Sequence, residues 1–139
     1  MKTLVALMLL MVLAGQAFAG DIRVGSKKFT ESVILGEIIT GLLRDGGATV
    51  EHQRELGGTR ILWNALRAGD LDLYPDYTGT LRHEILAGES PGEGLQGLRA
   101  ALKPHGLGIS APLGFNNSYA LGMLKPRAAE LGITRNSDL

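Results

Sequence analysis

The sequence predicts an α/β fold in which a mostly parallel sheet is flanked by helices. Apolar and polar residues alternate, as in a half-buried strand, at 21–25 and more weakly at 49–56. Each of these segments precedes a stretch with the apolar spacing of a helix, and glycines end the helical stretches. Because parallel strands need long crossover connections, a strand and helix in alternation favour parallel pairing.

The first strand and helix are predicted from adjacent patterns. Ile22 and Val24 alternate with polar neighbours, and the loop 25–30 follows. Thr30 is predicted to be the N-cap of a helix that ends near Gly46. The broad apolar face of this helix is predicted to contain Val33, Ile34, Ile38 and Leu42, with Leu35, Ile39 and Leu43 beside them.

The later elements continue the alternation. A helix is predicted after Gly57-Gly58-Thr59 and ends at Gly69, and Trp63 on it is interpreted as a packing residue. Leu71–Tyr74 reads as a short strand that Pro75 interrupts. The remaining predicted elements are helices after 78–80 and at 95–103, strands at 107–109 and 118–124, and a helical turn at 126–131.

The N-terminal segment 1–19 has the features of a secretory signal peptide. A lysine precedes an apolar run that is too short to span a bilayer, and Ala17-Phe18-Ala19 places small residues two apart before Gly20. No cysteine follows for lipid attachment, so the sequence predicts a free periplasmic protein. Residues 20–139 then form one lobe, which we expect to be truncated because Asn136–Leu139 reads as the start of a helix.

Composition and charge exclude several functional classes. The chain of 139 residues has no cysteine, which excludes disulfides and thiol chemistry, and its formal net charge of zero predicts no nucleic-acid partner. His52, His83 and His105 lack metal-ligand spacing, so we expect no metal or cofactor. The carboxylates at 70, 72 and 76 have no neighbouring base, so a periplasmic hydrolase is the least favoured alternative.

Three loops are candidates for binding, because ligands of parallel sheets sit outside the carboxyl ends of the strands. The loop 25–30 places Lys27 before a helix N-terminus, which favours an anion such as a carboxylate, although a solvated surface lysine is the alternative. The loop 75–80 adds hydroxyl and amide groups. Tyr77 there, and Tyr119 in the loop 115–119, could each contact a cation without N–H donors or belong to the core.

Five motifs together resemble those of the substrate-binding proteins of glycine betaine, choline and carnitine ABC importers. They occur in the order of that family and cover nearly all of residues 20–139. The run through Tyr77-Thr78-Gly79-Thr80 is the most specific of them. The motifs are Gly25–Glu31, Leu35–Ile38, Gly57–Thr59, Gly69–Thr80 and Leu113–Leu121.

The resemblance implies a function and a set of site residues. It implies a periplasmic-binding-protein type II lobe, with the second lobe largely missing, that delivers a quaternary-ammonium ligand to an inner-membrane permease. Tyr77 and Tyr119 would be cage tyrosines, while Lys27 and Thr80 would bind the ligand carboxylate. Tyr74 is expected to pack beneath the sheet. A sensory module with the same fold is the main alternative.

Overall fold

The computed structural model describes residues 21–118 and 121–138. The predicted signal peptide and Tyr119 lie outside the described residues. The chain divides between Ile109 and Ser110 into two units, called unit 1 and unit 2. None of the helices within the described ranges is long and apolar enough to cross a membrane.

Two parallel strands form the sheet of unit 1, which confirms the α/β prediction. Strand β1 is Ile22–Lys27 and strand β2 is Val50–Gly57. A third segment joins β1 on its other side, where Val24 and Leu73 form a parallel bridge and Gly25 N–H donates to Leu73 O at 2.9 Å. The predicted strand at 71–74 is thus reduced to a single bridge, since Pro75 cannot donate a further ladder hydrogen bond.

Helices alternate with these strands. Helix α1 follows β1, helix α2 follows β2, and helix α3 continues into a segment in which Leu86 N–H bonds to Leu81 O, five residues back. The predicted strands at 107–109 and 118–124 do not form in the described parts of those segments. The bounds are α1 Thr30–Asp45, α2 Thr59–Ala68, α3 Thr78–Thr80 continued by Leu81–Ile85, α4 Gly94–Leu102 and, after a 3-10 turn at Lys103–His105, α5 Lys125–Glu130.

Helix α1 buries a face that was not predicted. Its apolar side chains Ile34, Ile38 and Leu42 are 53, 53 and 67 % exposed, whereas three small residues spaced four apart are buried. Small side chains let the helix backbone approach the sheet closely, and this proximity decides which face is covered. The predicted apolar face was therefore wrong for these three residues, and the buried face consists of Ser32, Gly36 and Thr40.

A hydrophobic cluster joins α2 to the elements after it. Trp63 is 5 % exposed, and its ring meets that of His105 edge to face at 5.4 Å between centroids. This position confirms that Trp63 is a packing residue. The buried members of the cluster are Trp63, Leu81, Ile85, Leu86, Leu98 and Leu102.

Unit 2 contains α5 and a 3-10 turn at Asn136–Asp138. The Asp138 carboxylate accepts hydrogen bonds from the backbone N–H and hydroxyl of Thr134 and from Arg135. These donors lower the pKa of Asp138 to about 2. The carboxylate therefore closes the turn from its C-terminal end.

Candidate ligand-binding site

The carboxyl end of β1 holds a buried ion pair. Lys27 Nζ donates to Asp76 Oδ1 at 2.6 Å and to Thr59 Oγ1 at 3.1 Å. The side chains of Lys27 and Asp76 are only 6 and 5 % exposed. Since Thr59 begins α2 and Asp76 precedes α3, the lysine joins three segments that are distant in sequence.

The hydrogen bonds of this pair leave capacity for another group. An ammonium group has three N–H donors, and the described part of the chain accounts for two of those of Lys27. Asp76 Oδ1 also accepts from the backbone N–H of Tyr77 at 2.8 Å. Asp76 Oδ2 is buried without a hydrogen-bond partner among the described residues. Such a site offers an N–H donor to an acceptor on a ligand, and a carboxylate oxygen to a donor or a cationic group.

The environment of the pair keeps the neighbouring Tyr74 neutral. Burial raises the pKa of the Tyr74 hydroxyl, and the negative charge of Asp76 raises the same pKa further. Tyr74 is only partly buried. The position beneath the sheet expected for Tyr74 remains a prediction.

The structure brings two of the predicted site segments together. Tyr77 is the N-cap residue of α3, and both it and Thr80 are half-buried. Lys27 reaches this segment through Asp76, whose carboxylate contacts both the lysine and the Tyr77 backbone. Tyr119, the other predicted cage residue, lies outside the described residues. The binding roles of Lys27, Tyr77, Thr80 and Tyr119 therefore stay predictions.

Amide groups in the loop before α1 are already engaged. The backbone N–H of Lys27 donates to Ser32 Oγ at 2.9 Å, and that of Lys28 donates to Gly57 O at 3.1 Å. The Lys28 residue is exposed. Of the two lysines in this loop, only Lys27 turns out to be buried at the carboxyl end of β1.

The partnership of Lys27 with Asp76 was not predicted, although the sequence holds a signal for it. Arg23 and Lys27 are four residues apart on β1, and Asp72 and Asp76 repeat that spacing. Arg23 pairs with Asp72 just as Lys27 pairs with Asp76, each over a separation of 49 residues. Two matching cation and carboxylate spacings indicate neighbouring extended segments.

The described residues hold no group of three or more histidines and carboxylates that is placed to bind a metal ion. The groups that the structure brings together at the end of β1 are the Lys27 ammonium, the Asp76 carboxylate and the Thr59 hydroxyl. These groups suit a small polar organic ligand better than an ion of high charge.

Comparison with known proteins identifies the family. The model of the substrate-binding domain of the ABC-type glycine betaine transport system matches residues 20–139. The chain belongs to this family. The resemblance seen in the motifs is thereby confirmed.

Curated relatives of this family carry related names. A glycine-betaine-binding protein of Pseudomonas aeruginosa is 34 % identical over 129 residues, which are 91 % of this chain and 41 % of that protein. The glycine betaine-binding protein YehZ of Escherichia coli is 41 % identical over 61 residues, covering 44 % of this chain and 20 % of YehZ. The chain thus spans less than half the length of these relatives.

A further relative is named for another ligand. The ergothioneine transport permease/ergothioneine binding protein EgtU of Helicobacter pylori is 34 % identical over 119 residues, which are 84 % of this chain and 22 % of EgtU. Relatives of similar identity thus carry names for different ligands. Family membership supports a substrate-binding role in transport without fixing the ligand.

Proposed function

We propose that the chain is part of the periplasmic solute-binding component of an ABC importer for quaternary-ammonium osmoprotectants, with glycine betaine as its first ligand. Residues 1–19 act as the signal peptide, and residues 20–139 supply a type II lobe of a two-lobed protein. The protein delivers its ligand to a permease in the inner membrane and is not an enzyme. Family membership and the buried Lys27–Asp76 pair beside Tyr77 support this proposal.

The proposed class of ligand rests on the ion pair between Lys27 and Asp76. Asp76 compensates the charge of Lys27, so the site presents one ammonium donor without an excess of positive charge. A zwitterion suits this arrangement, because its carboxylate accepts from Lys27 and its methylated ammonium lies against an aromatic face. Choline lacks a carboxylate and offers Lys27 only a neutral hydroxyl oxygen as acceptor, which makes a weaker hydrogen bond. We therefore expect betaines to bind more tightly than choline.

Titration calorimetry with a series of ligands tests this order without disturbing the buried pair. Glycine betaine, carnitine, choline and tetramethylammonium share the methylated cation and differ in the carboxylate. We expect the two carboxylates to bind at least about tenfold more tightly than choline, the value of one charged hydrogen bond. Equal affinity for choline and glycine betaine would contradict the role proposed for Lys27.

The aromatic contact has its own matched pair of variants. Tyr77→Ala removes the ring, and Tyr77→Phe keeps the ring but removes the hydroxyl. A desolvated cation on an aromatic face is worth about 0.5–2 kcal/mol, so Tyr77→Ala weakens binding by roughly tenfold while Tyr77→Phe retains most of the affinity. The same pair at Tyr119 tests the second cage residue, and Thr80→Ala against Thr80→Ser tests the hydroxyl.

Ergothioneine is the second candidate ligand, because a relative is named for it. It shares a trimethylammonium and a carboxylate with glycine betaine and adds a bulky sulfur-bearing ring. Calorimetry with both compounds ranks them directly. Failure of every compound in the series to bind to the complete two-lobed protein would reject the quaternary-ammonium proposal while leaving family membership in place.

Location and partner need experiments in cells. N-terminal sequencing of the exported protein should begin at Gly20 if residues 1–19 are removed. Deletion of the gene should abolish uptake of radiolabelled glycine betaine through its permease. Normal uptake, combined with loss of a behavioural response to the ligand, would favour the sensory alternative.

A further inference from the structure

Behind the carboxyl end of β1, three side chains form a hydrogen-bonded chain. His52 Nδ1 lies 2.8 Å from Glu37 Oε1, and His52 Nε2 lies 3.0 Å from Ser26 Oγ. Ser26 is fully buried, and the His52 side chain is only 4 % exposed. This network of side chains links Glu37 on α1 through His52 on β2 to Ser26 on β1, one residue before Lys27.

The partners determine the direction of these hydrogen bonds. The Glu37 carboxylate accepts from Arg54 Nε at 2.6 Å and can only accept from His52. His52 Nδ1 therefore carries a proton, and in the neutral ring Nε2 accepts from the Ser26 hydroxyl. Ser26 Oγ in turn accepts from the backbone N–H of Glu55 at 3.3 Å. The last hydrogen bond of this network therefore comes from the backbone of β2.

That end of the network coincides with an irregularity of the sheet. Gly25 pairs with Gln53, but the next paired position joins Lys27 to Gly57, so Ser26 alone lies opposite residues 54–56. Glu55 within this bulge has a φ of 54°, a left-handed backbone conformation that residues other than glycine rarely adopt. Such a conformation persists only where surrounding contacts stabilise it. The hydrogen bond from the backbone N–H of Glu55 to Ser26 Oγ is one such contact.

The bulge determines where the next segment reaches β1. It brings Gly57 beside Lys27, and Gly57 O accepts from Lys28 N–H at 3.1 Å. Gly58 then caps α2, and the first residue of that helix, Thr59, contacts Lys27 Nζ. A change in the bulge would therefore shift Thr59 relative to the lysine.

Helix α1 makes room for the histidine. A Cβ added at Gly36 would lie 2.7 Å from Cε1 of His52, a distance that such atoms do not tolerate. Glycine in a helix interior is unfavourable, so its presence here is explained by the ring packed against it.

We propose that Ser26, His52 and Glu37 are positioning residues that set the bulge of β2 and thereby hold Thr59 against Lys27. This inference rests on the function proposed for the site, because it assigns these residues to ligand affinity. Serine, histidine and a carboxylate in this order also occur in hydrolases. Ser26 is fully buried, however, and its oxygen is occupied by His52 and Glu55, so a substrate cannot reach it.

Two amide substitutions at His52 separate its two contacts. The amide of asparagine lies near the position of Nδ1 and that of glutamine near the position of Nε2. His52→Gln therefore keeps a partner for Ser26, whereas His52→Asn keeps one for Glu37 only. His83→Gln is the control, because it makes the same substitution at an exposed histidine.

The readouts are the backbone amide resonances of Glu55 and Thr59 in the full chain and its affinity for glycine betaine by calorimetry. We expect His52→Asn to shift both resonances and to weaken binding about tenfold, the value of one buried hydrogen bond. His52→Gln, which loses only the contact to Glu37, should shift both resonances and weaken binding less than His52→Asn does, and His83→Gln should change neither readout. Ser26→Ala should reproduce His52→Asn if the latter folds poorly.

The outcomes separate this inference from the proposed function. An unshifted Thr59 resonance in both His52→Asn and Ser26→Ala would overturn the inference, as would a shifted resonance with unchanged affinity. If the complete two-lobed protein without substitutions binds neither glycine betaine nor ergothioneine, the proposed function fails. In that case the shift of the Thr59 resonance alone tests whether Ser26, His52 and Glu37 position α2.

Discussion

Two ion pairs join β1 to the segment after α2, and they differ in their exposure. Arg23 and Asp72 meet at 3.1 Å with side chains that are 34 and 43 % exposed. Lys27 and Asp76 meet at 2.6 Å with side chains that are 6 and 5 % exposed. The same strand therefore carries a solvated pair near its start and a buried pair at its carboxyl end.

The difference separates a contact that sets register from one that forms a site. Water screens the exposed pair, whose main effect is to align the two segments. The buried pair must compensate its own loss of hydration, so removing either partner leaves an unmatched charge in the interior. A buried pair that still has hydrogen-bonding capacity marks a candidate ligand site, whereas an exposed pair does not.

The largest expected effect comes from removing the buried cation. Lys27→Met leaves the Asp76 carboxylate buried without a counter-charge, and we expect a loss of about 3–5 kcal/mol in the free energy of unfolding. Urea unfolding followed by the fluorescence of Trp63, the single tryptophan, measures it. The double variant Lys27→Met/Asp76→Leu should lose less than Lys27→Met alone. A change below about 1 kcal/mol in the single variant would contradict the buried pair.

A smaller effect tests the packing behind the buried pair. Gly36→Ala places a methyl group against the His52 ring, which supports Ser26, and should cost about 1–3 kcal/mol. Gly41→Ala on the same helix meets nothing within 4 Å and should stabilise by about 0.5–1 kcal/mol. Urea unfolding compares the two. Equal effects would show that His52 does not constrain α1.

The exposed pair should contribute less. Arg23→Ala should cost less than either Lys27→Met or Gly36→Ala, and the cost should shrink in high salt. The hydrogen bond from the Arg23 side chain lowers the pKa of Asp72. Its stabilisation is therefore present above the unfolded carboxyl pKa of about 3.9 and is lost as the pH falls through the lower folded value. Unfolding midpoints at neutral and acidic pH, with and without salt, test this sign.

The smallest effect is a pH dependence at Glu37. Hydrogen bonds from His52 and then Arg54 lower the pKa of this carboxyl below its usual value. The stabilisation holds above the unfolded pKa of about 4.3 and is lost as acid protonates Glu37 in the folded state. Glu37→Gln should flatten the acid limb of the stability curve relative to Glu51→Gln, an exposed control on β2. If stability falls with acid in the same way in both variants, the hydrogen bond between Glu37 and His52 does not contribute to stability.

Several elements followed from local patterns because local physics decides them. The first helix ends at Asp45 before Gly46, and α2 ends at Ala68 before a left-handed Gly69, as the glycines indicated. The N-cap of α1 is Phe29 rather than the predicted Thr30. That shift is small because helix ends depend on a few adjacent backbone groups.

The alternation of strands and helices, the glycine-ended helices and the motif order were determined by the sequence alone. Each depends on residues close together in the chain. Only the tertiary structure decided that α1 buries small side chains rather than Ile34, Ile38 and Leu42, because burial depends on how near the helix lies to the sheet. The pairing of Lys27 with Asp76 was likewise decided there, since contacts between residues 49 apart follow from strand register and not from local pattern.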